Sequence, residues 1–238
     1  MPPGDVNPRQ LSQRYSWVVP VLSAIAGSVD AIGYLSIVRV YTSHISGDSV
    51  DVGVRVALGH WGDAWLHFAP ILAFIVGILG GLALAALVLQ ANIERVFAIV
   101  VCAEIALLLA LFIVARSPAQ WMLVFPAMAM GVQNALLRSV GQKHIRTTYV
   151  SGMLTHAAHD LYEALASLIK RDGEAPQRFG SSAFYGGIWL SFLFGGMCGA
   201  TLELRIRSSA VLLPMTALVA LALVDCVSPV VKRAETGP

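Results

Sequence analysis

Isolated polar side chains lie in the middle of long apolar runs, where their burial is energetically costly unless they serve a structural or functional role. Asp30 is one of them, and Gln133 and Asn134 stand together in another such run. A charge at the centre of a bilayer costs about 2.5–3.5 kcal/mol on insertion scales, so these side chains must face a protein interior, a cavity or a partner. They can form a substrate or proton site, or they can hydrogen-bond one helix to the next. The residues alone leave both interpretations open.

Two similar polar motifs follow these residues along the chain. Thr-Ser-His-Ile-Ser-Gly occupies 42–47, and Thr-Thr-Tyr-Val-Ser-Gly occupies 147–152, 105 positions later. Ser and Thr favour the first positions of helices, and Gly admits another backbone at close range. Each motif therefore predicts the start of a helix whose free N–H groups and dipole favour an anion. We predict a substrate-binding set made of Asp30, Ser46, Gly47, Asp48, Gln133, Asn134, Ser151 and Gly152.

The helices that begin at these motifs each carry a polar face. On the first helix, acidic and basic residues are spaced i, i+3 and i+7, and on the second, two His and two carboxylates are spaced i, i+3, i+4 and i+7. The second set could bind a divalent transition metal, pass protons, or form the wet side of an amphipathic helix. We predict no metal site, and a proton or ion path formed by Asp51, Arg55, His156, His159, Asp160 and Glu163.

Transmembrane helices must position these residues. The chain has 238 residues, of which 57% are hydrophobic and 13% charged, whereas soluble domains carry about 25% charged residues. The segments 44–60 and 147–169 are too polar to face lipid and too apolar for loops, so we interpret them as helices that re-enter the membrane or lie at its surface. Spanning the ~30 Å hydrocarbon core takes about 20 helical residues. Six runs are long enough, at about 17–38, 67–90, 95–115, 120–138, 183–204 and 209–228.

An internal duplication orders these elements. Beside the two motifs, a shift of 104 places residues 27–31 on 131–135, and a shift of 118 places the Phe-x-x-Gly-x-x-x-Gly pattern of 74–81 on that of 192–199. Gly-x-x-x-Gly spacing is typical of closely packed membrane helices. We predict an all-α, polytopic membrane protein of about six transmembrane helices in two three-helix repeats, each with an additional polar helix.

The distribution of Lys and Arg predicts the orientation of the repeats. With six spans and a cytoplasmic N-terminus, eleven Lys and Arg lie inside and five outside, which accounts for all 16. With eight full spans the counts are eight and seven, with Arg55 inside the membrane, and the bias disappears. Six spans place both termini in the cytoplasm and insert the halves in opposite directions, an inverted repeat common among transporters. The predicted regions are a disordered cytoplasmic N-terminus (1–16), a first repeat (17–116), a second repeat (117–228) and a cytoplasmic tail (229–238).

Composition and motifs argue against several other classes. The net charge of +2 is too small to indicate nucleic-acid binding. Cys102, Cys198 and Cys226 lie in apolar runs without a C-x-x-C pair, which favours buried free thiols over disulfides or metal ligands. The chain has no Gly-rich phosphate loop and no nucleophile elbow. We therefore expect neither an enzyme nor a cofactor.

The motifs resemble those of a known family. Ala-Gly-Ser-Val-Asp-Ala at 26–31 and Ser-His-Ile-Ser-Gly-Asp at 43–48 are similar to segments of the YoaK family, and the motifs at 131–135 and 147–152 support the resemblance, which covers about 17–228. The family usually has Thr-Gly-Asn where this chain has Ser-Gly-Asp, so a hydroxyl is kept and a charge is added. The resemblance implies a multi-pass protein of the bacterial inner membrane and brings no established activity.

Three functions are compatible with these residues. A small-solute permease or secondary transporter would use the central polar residues as a site between the repeats. A membrane scaffold or sensor would use them only to pack helices, and an intramembrane enzyme would use the His156 and His159 face. We favour the permease, with the lipid bilayer and an unknown small solute as partners, and we leave self-association open.

Overall fold

The computed structural model describes residues 10–11, 13–36, 40–113, 119–136, 139–140, 143–144 and 147–232. Within these residues the chain is almost entirely helical. The helices are α1 (Val18–Ser36), α2 (Ile45–Ala57), α3 (Trp61–Gln90), α4 (Val96–Ile113), α5 (Ala119–Leu136), α6 (Val150–Lys170), α7 (Ala175–Ile206) and α8 (Leu212–Val227). Short 3-10 turns at Gln13–Tyr15 and Arg207–Val211 precede α1 and α8.

Several helices are built for a lipid environment. In the described part of the chain, four helical segments are long and apolar enough to cross a membrane: Val18–Ser36, Trp61–Gln90, Ala175–Ile206 and Ser209–Val227. Shorter apolar helices cover Val96–Ala110 and Met122–Leu136. Many large apolar side chains on these helices point outwards, where water would solvate them poorly and lipid solvates them well. The chain is thus an α-helical integral membrane protein.

Helices α3 and α7 begin earlier than hydropathy predicts, at Trp61 and Ala175 instead of about 67 and 183. Their extra N-terminal turns extend beyond the apolar runs and pack against the amphipathic helices α2 and α6. A hydropathy window cannot detect turns whose apolar partner is another helix, because it measures only the local average.

The bundle is held together by two close helix crossings. Helix α1 packs on α7, and α3 packs on α5. A Cβ atom built on Gly27 would lie 2.1 Å from the carbonyl oxygen of Phe192, and one built on Gly131 would lie 2.2 Å from that of Phe74. The backbones therefore touch at both crossings, and only glycine allows this approach.

Four two-residue strands form a small sheet at one end of the bundle. Strand β1 (Gln10–Leu11) pairs in parallel with β2 (Ser139–Val140) and antiparallel with β4 (Val231–Lys232), and β2 pairs antiparallel with β3 (Lys143–His144). The N-terminal segment, the α5–α6 connection and the C-terminal segment are thereby joined. Residues 1–9 and 12 of the predicted disordered N-terminus, and 233–238 of the predicted tail, lie outside the described residues.

Candidate functional site

The Asp30 carboxylate anchors the first polar motif to the middle of α1. It is 4% exposed, and its Oδ1 atom accepts hydrogen bonds from the Thr42 N–H (2.9 Å), the Thr42 hydroxyl (2.6 Å) and the Ser43 N–H (2.8 Å). Its Oδ2 atom accepts one from the Ser43 hydroxyl at 2.6 Å. Because Asp30 lies six residues, about 9 Å of helix, before the end of α1, the chain must fold back alongside α1 before α2 begins.

The second motif is anchored in the same way by two amides of α5. The Asn134 side chain donates to the Thr148 hydroxyl at 2.5 Å, and the Gln133 side chain donates to the Thr147 hydroxyl at 2.9 Å. Gln133 also donates to the carbonyl oxygen of Leu22 on α1 at 2.9 Å. Both amide oxygens are buried and lack a partner among the described residues, so each can still accept a hydrogen bond.

Each motif turns into a helix at an aromatic residue. His44 and Tyr149 are the N-terminal cap residues of α2 and α6, and neither cap forms a side-chain hydrogen bond in the structure as described. The following glycines lie against these rings, since a Cβ atom would come within 2.6 Å of the His44 ring at Gly47 and within 1.8 Å of the Tyr149 ring at Gly152. The sequence-based expectation that these glycines admit another backbone is therefore wrong: each makes room for the ring of its own cap residue.

The two motifs meet at a cavity of about 610 Å³. Three of the predicted binding residues, Ser46, Asn134 and Ser151, line it. Asp30, Gln133 and Asp48 do not line the cavity. The side chains of Asp30 and Gln133 hydrogen-bond to the motifs, and Asp48 contacts His67 on α3. Sequence reasoning missed several lining residues, although most belong to the motifs it had matched. The full lining is Ser43, His44, Ile45, Ser46, Phe74, Ile78, Asn134, Thr148, Tyr149, Val150 and Ser151.

A second polar cluster lies where α2 packs on α3. The Nδ1 atom of His67 is 3.5 Å from Oδ1 of Asp48 and 3.7 Å from Oδ2 of Asp51. The backbone N–H of Tyr41 lies near the Asp48 carboxylate. Within the described residues, however, neither oxygen of Asp48 accepts a hydrogen bond of normal geometry.

The predicted proton or ion path is divided between two helix interfaces. Arg55 on α2 pairs with Asp63 at 3.3 Å. On the other side, His156 stacks on Tyr185 at 5.0 Å, and Asp160 accepts a hydrogen bond from Ser181. The remaining members of that face, His159 and Glu163, contact Asp160 and Arg178 respectively. Asp51 and Arg55 thus have their partners on α3, whereas the α6 residues have theirs on α6 and α7.

Two further carboxylates are buried elsewhere in the bundle. Asp225 joins α8 to α4 by accepting hydrogen bonds from the N–H groups of Ala98 (3.0 Å) and Val230 (2.7 Å). Glu104, in the middle of α4, is fully buried, and neither of its oxygens has a hydrogen-bond partner in the described regions.

Comparison with known proteins assigns a family but no activity. Residues 18–224 match the family model described as "Protein of unknown function (DUF1275)". The chain is 25% identical over 158 residues to the UPF0700 transmembrane protein YoaK of Bacillus subtilis (strain 168), a match covering 60% of this chain and 66% of the relative. The chain thus spans just under two thirds of the curated relative it matches. No solved structure matches the chain at a significant level.

Proposed function

This chain belongs to the DUF1275 family of proteins of unknown function, and we propose that it is a small-solute permease with its binding site in the cavity between the two motifs. The observation that carries the proposal is the meeting of two helix N-termini at one cavity, with hydroxyl and amide groups around it. The cap residues of both helices form no side-chain hydrogen bond within the described residues. Such a site can bind a small polar molecule without a cofactor, since N–H groups and hydroxyls supply both recognition and orientation.

Equivalent contacts in the two halves support an inverted repeat. The Gly27–Phe192 contact becomes Gly131–Phe74 when each residue is replaced by its counterpart at the shifts of 104 and 118. At the shifts of 104 and 105, the Asp30–Ser43 hydrogen bond corresponds to the Asn134–Thr148 bond. At the shifts of 105 and 118, the Arg55–Asp63 contact corresponds to the Asp160–Ser181 contact. Chance resemblance between apolar helices does not account for polar contacts related by the same shifts.

The position of both motifs along α1 supports re-entry into the membrane. The Ser23 hydroxyl on α1 donates a hydrogen bond directly to the carbonyl oxygen of Thr147, and the Gln133 side chain links Thr147 to the carbonyl oxygen of Leu22 on α1. Thr42 and Ser43 contact α1 at Asp30. Counted from the first residue of α1, Leu22 and Asp30 lie about 6 Å and about 18 Å along the helix axis. Helix α1 is itself long enough to span the bilayer. We therefore propose that α2 and α6 each begin inside the membrane and run towards the nearer membrane surface. The six spans are then α1, α3, α4, α5, α7 and α8.

The small terminal sheet supports a common side for both termini. It joins the N-terminal segment, the α5–α6 connection and the C-terminal segment, three regions that the excess of Lys and Arg assigns to the cytoplasm. We propose the bacterial inner membrane as the location and a non-enzymatic role, with the lipid bilayer and an unidentified solute as partners. Self-association is left to measurement.

The chemistry of the lining suggests the kind of solute. Two helix N-termini and the hydroxyls of Ser46, Thr148 and Ser151 favour an anionic or hydrogen-bond-accepting group. The apolar side chains of α3 at the same cavity, Phe74 and Ile78, favour a solute that also has a small apolar part.

One observation favours the alternative of a membrane scaffold or sensor. All four hydrogen bonds of Asp30 are made within the chain, so this carboxylate already has a structural task. In the permease proposal Asp30 therefore positions the motif and does not contact the solute.

A cavity-filling substitution distinguishes the two functions. Purified protein is screened for thermal stabilisation by small carboxylates, phosphates and neutral metabolites, and each stabilising compound is tested for uptake into proteoliposomes. Ser151→Trp fills the cavity and should abolish both signals, whereas Thr155→Trp, one turn later on α6 and outside the cavity lining, should preserve them. Unchanged uptake by the Ser151→Trp protein would rule out the cavity as the transport site. Absence of any uptake, with motif variants losing only stability, would favour the scaffold.

A further inference from the structure

The α2–α3 interface contains a compact group of metal-ligating side chains that the permease proposal does not use. Asp48, Asp51 and His67 each offer one ligand atom, and these three atoms lie within 4.8 Å of one another. None of the three residues lines the central cavity. We propose that this group binds one divalent transition-metal ion, independently of any solute bound in the cavity.

The distances suit a small metal ion. Ligand atoms about 2.0–2.2 Å from a tetrahedral ion are about 3.3–3.6 Å apart, and the two distances from His67 Nδ1 to the carboxylate oxygens are 3.5 and 3.7 Å. Small side-chain adjustments therefore place all three ligands around one ion. An imidazole nitrogen with two carboxylates favours ions of the zinc, manganese and iron class over magnesium or calcium, which prefer oxygen ligands.

Unsatisfied buried atoms point to a ligand at this place. The side chain of Asp48 is 1% exposed and that of His67 is 4% exposed. Both oxygens of Asp48 and the Nδ1 atom of His67 are buried without a hydrogen-bond partner in the part of the chain described. Buried polar atoms rarely stay unpaired, because each has lost its hydrogen bonds to water without gaining others. A metal ion would satisfy Asp48 and His67 together.

The surrounding charges also favour a cation. Asp63 adds a third carboxylate to this interface and pairs with the guanidinium of Arg55, so the acidic groups outnumber the basic one. Asp51 is half exposed, with 51% of its side-chain surface accessible. The exposed side of Asp51 gives a metal ion access to the site and leaves a fourth coordination position open for water, as in zinc sites with three protein ligands.

The second half of the chain offers a natural control. At the shifts of 105 and 118, the three ligands fall on Met153, His156 and Tyr185, and there a His–Tyr stack occupies the corresponding interface. The metal-binding group is therefore confined to one of two otherwise equivalent interfaces, and His156 lies on the one that should not bind metal.

Titration with Co²⁺ tests the site directly, because the visible absorption of the ion reports its coordination. The full chain is purified in detergent, its affinity tag is cleaved, and bound metals are removed with a chelator. We expect one equivalent of Co²⁺ per chain, displaced by one equivalent of Zn²⁺. Asp48→Asn and His67→Gln each remove a proposed metal ligand, so each should weaken binding by more than the roughly 10–100-fold typical of losing an outer-shell partner. The His156→Gln/His159→Gln double variant should bind as the wild type does.

A ligand exchange guards against misfolded variants. His67→Cys keeps a metal-binding side chain and should add a thiolate-to-Co²⁺ charge-transfer band in the near ultraviolet, a signal that requires residue 67 to touch the ion. Failure of the wild type to bind Co²⁺ or Zn²⁺, retention of binding by Asp48→Asn and His67→Gln, or its loss in the His156→Gln/His159→Gln protein would each overturn the proposal.

Discussion

Replacing Gly27 by alanine tests whether the α1–α7 crossing is a backbone contact. The added Cβ would lie 2.1 Å from the Phe192 carbonyl oxygen, 0.9 Å inside the 3.0 Å limit that real Cβ contacts respect. Because the obstructing atom belongs to the backbone, no side-chain rotation relieves the clash, and the helices must separate. Overpacking of this kind costs about 1–3 kcal/mol.

The same substitution at a glycine with free space is the matched control. Gly186 lies within α7, the helix on which α1 packs, and a Cβ atom there would meet nothing within 4 Å. Both variants gain the same helix propensity, about 0.8–1.0 kcal/mol. Their difference in unfolding free energy therefore isolates the contact, and we expect Gly27→Ala to be less stable by about 1–3 kcal/mol.

The assay is reversible unfolding of the purified protein in detergent, followed by circular dichroism at increasing denaturant. Gly131→Ala should match Gly27→Ala, since its Cβ would lie 2.2 Å from the Phe74 carbonyl oxygen in the corresponding crossing. If Gly27→Ala unfolds at the same denaturant concentration as Gly186→Ala, the backbones do not touch and the reasoning fails.

Substitutions of Asp30, Gly152 and Glu104 test three further features of the structure. Asp30→Ala removes an acceptor of four buried hydrogen bonds and should destabilise the protein by about 2 kcal/mol or more, whereas Asp30→Asn keeps an acceptor oxygen and should cost less; equal unfolding midpoints would contradict the anchoring role. Gly152→Ala places a Cβ atom 1.8 Å from the Tyr149 ring and should lower the melting temperature. Adding Tyr149→Ala should restore the melting temperature, and no recovery in the double variant would show that the ring is not the obstacle. Glu104→Leu removes two buried oxygens that have no hydrogen-bond partner among the described residues, and it should raise stability by about 1–3 kcal/mol in the same unfolding assay; a loss of stability would indicate a partner for this carboxyl group.

Local properties of the sequence determined the membrane character of the chain and the approximate bounds of its helices. Hydropathy is a sum over neighbouring residues, so apolar runs identify α1, α4, α5 and α8 to within a few residues. Motif matching placed the starts of α2 and α6 and identified the family, which the family model confirms.

Tertiary structure decided which polar groups meet. Asp30 and Ser43 are only 13 positions apart, but their bond depends on the chain folding back along α1. His67 joins Asp48 and Asp51 only because α2 packs on the N-terminal turns of α3, and no spacing rule relates residues on two different helices. Helix periodicity indicates which face a side chain occupies, whereas its partner depends on how separate helices dock, and that geometry is absent from any local pattern.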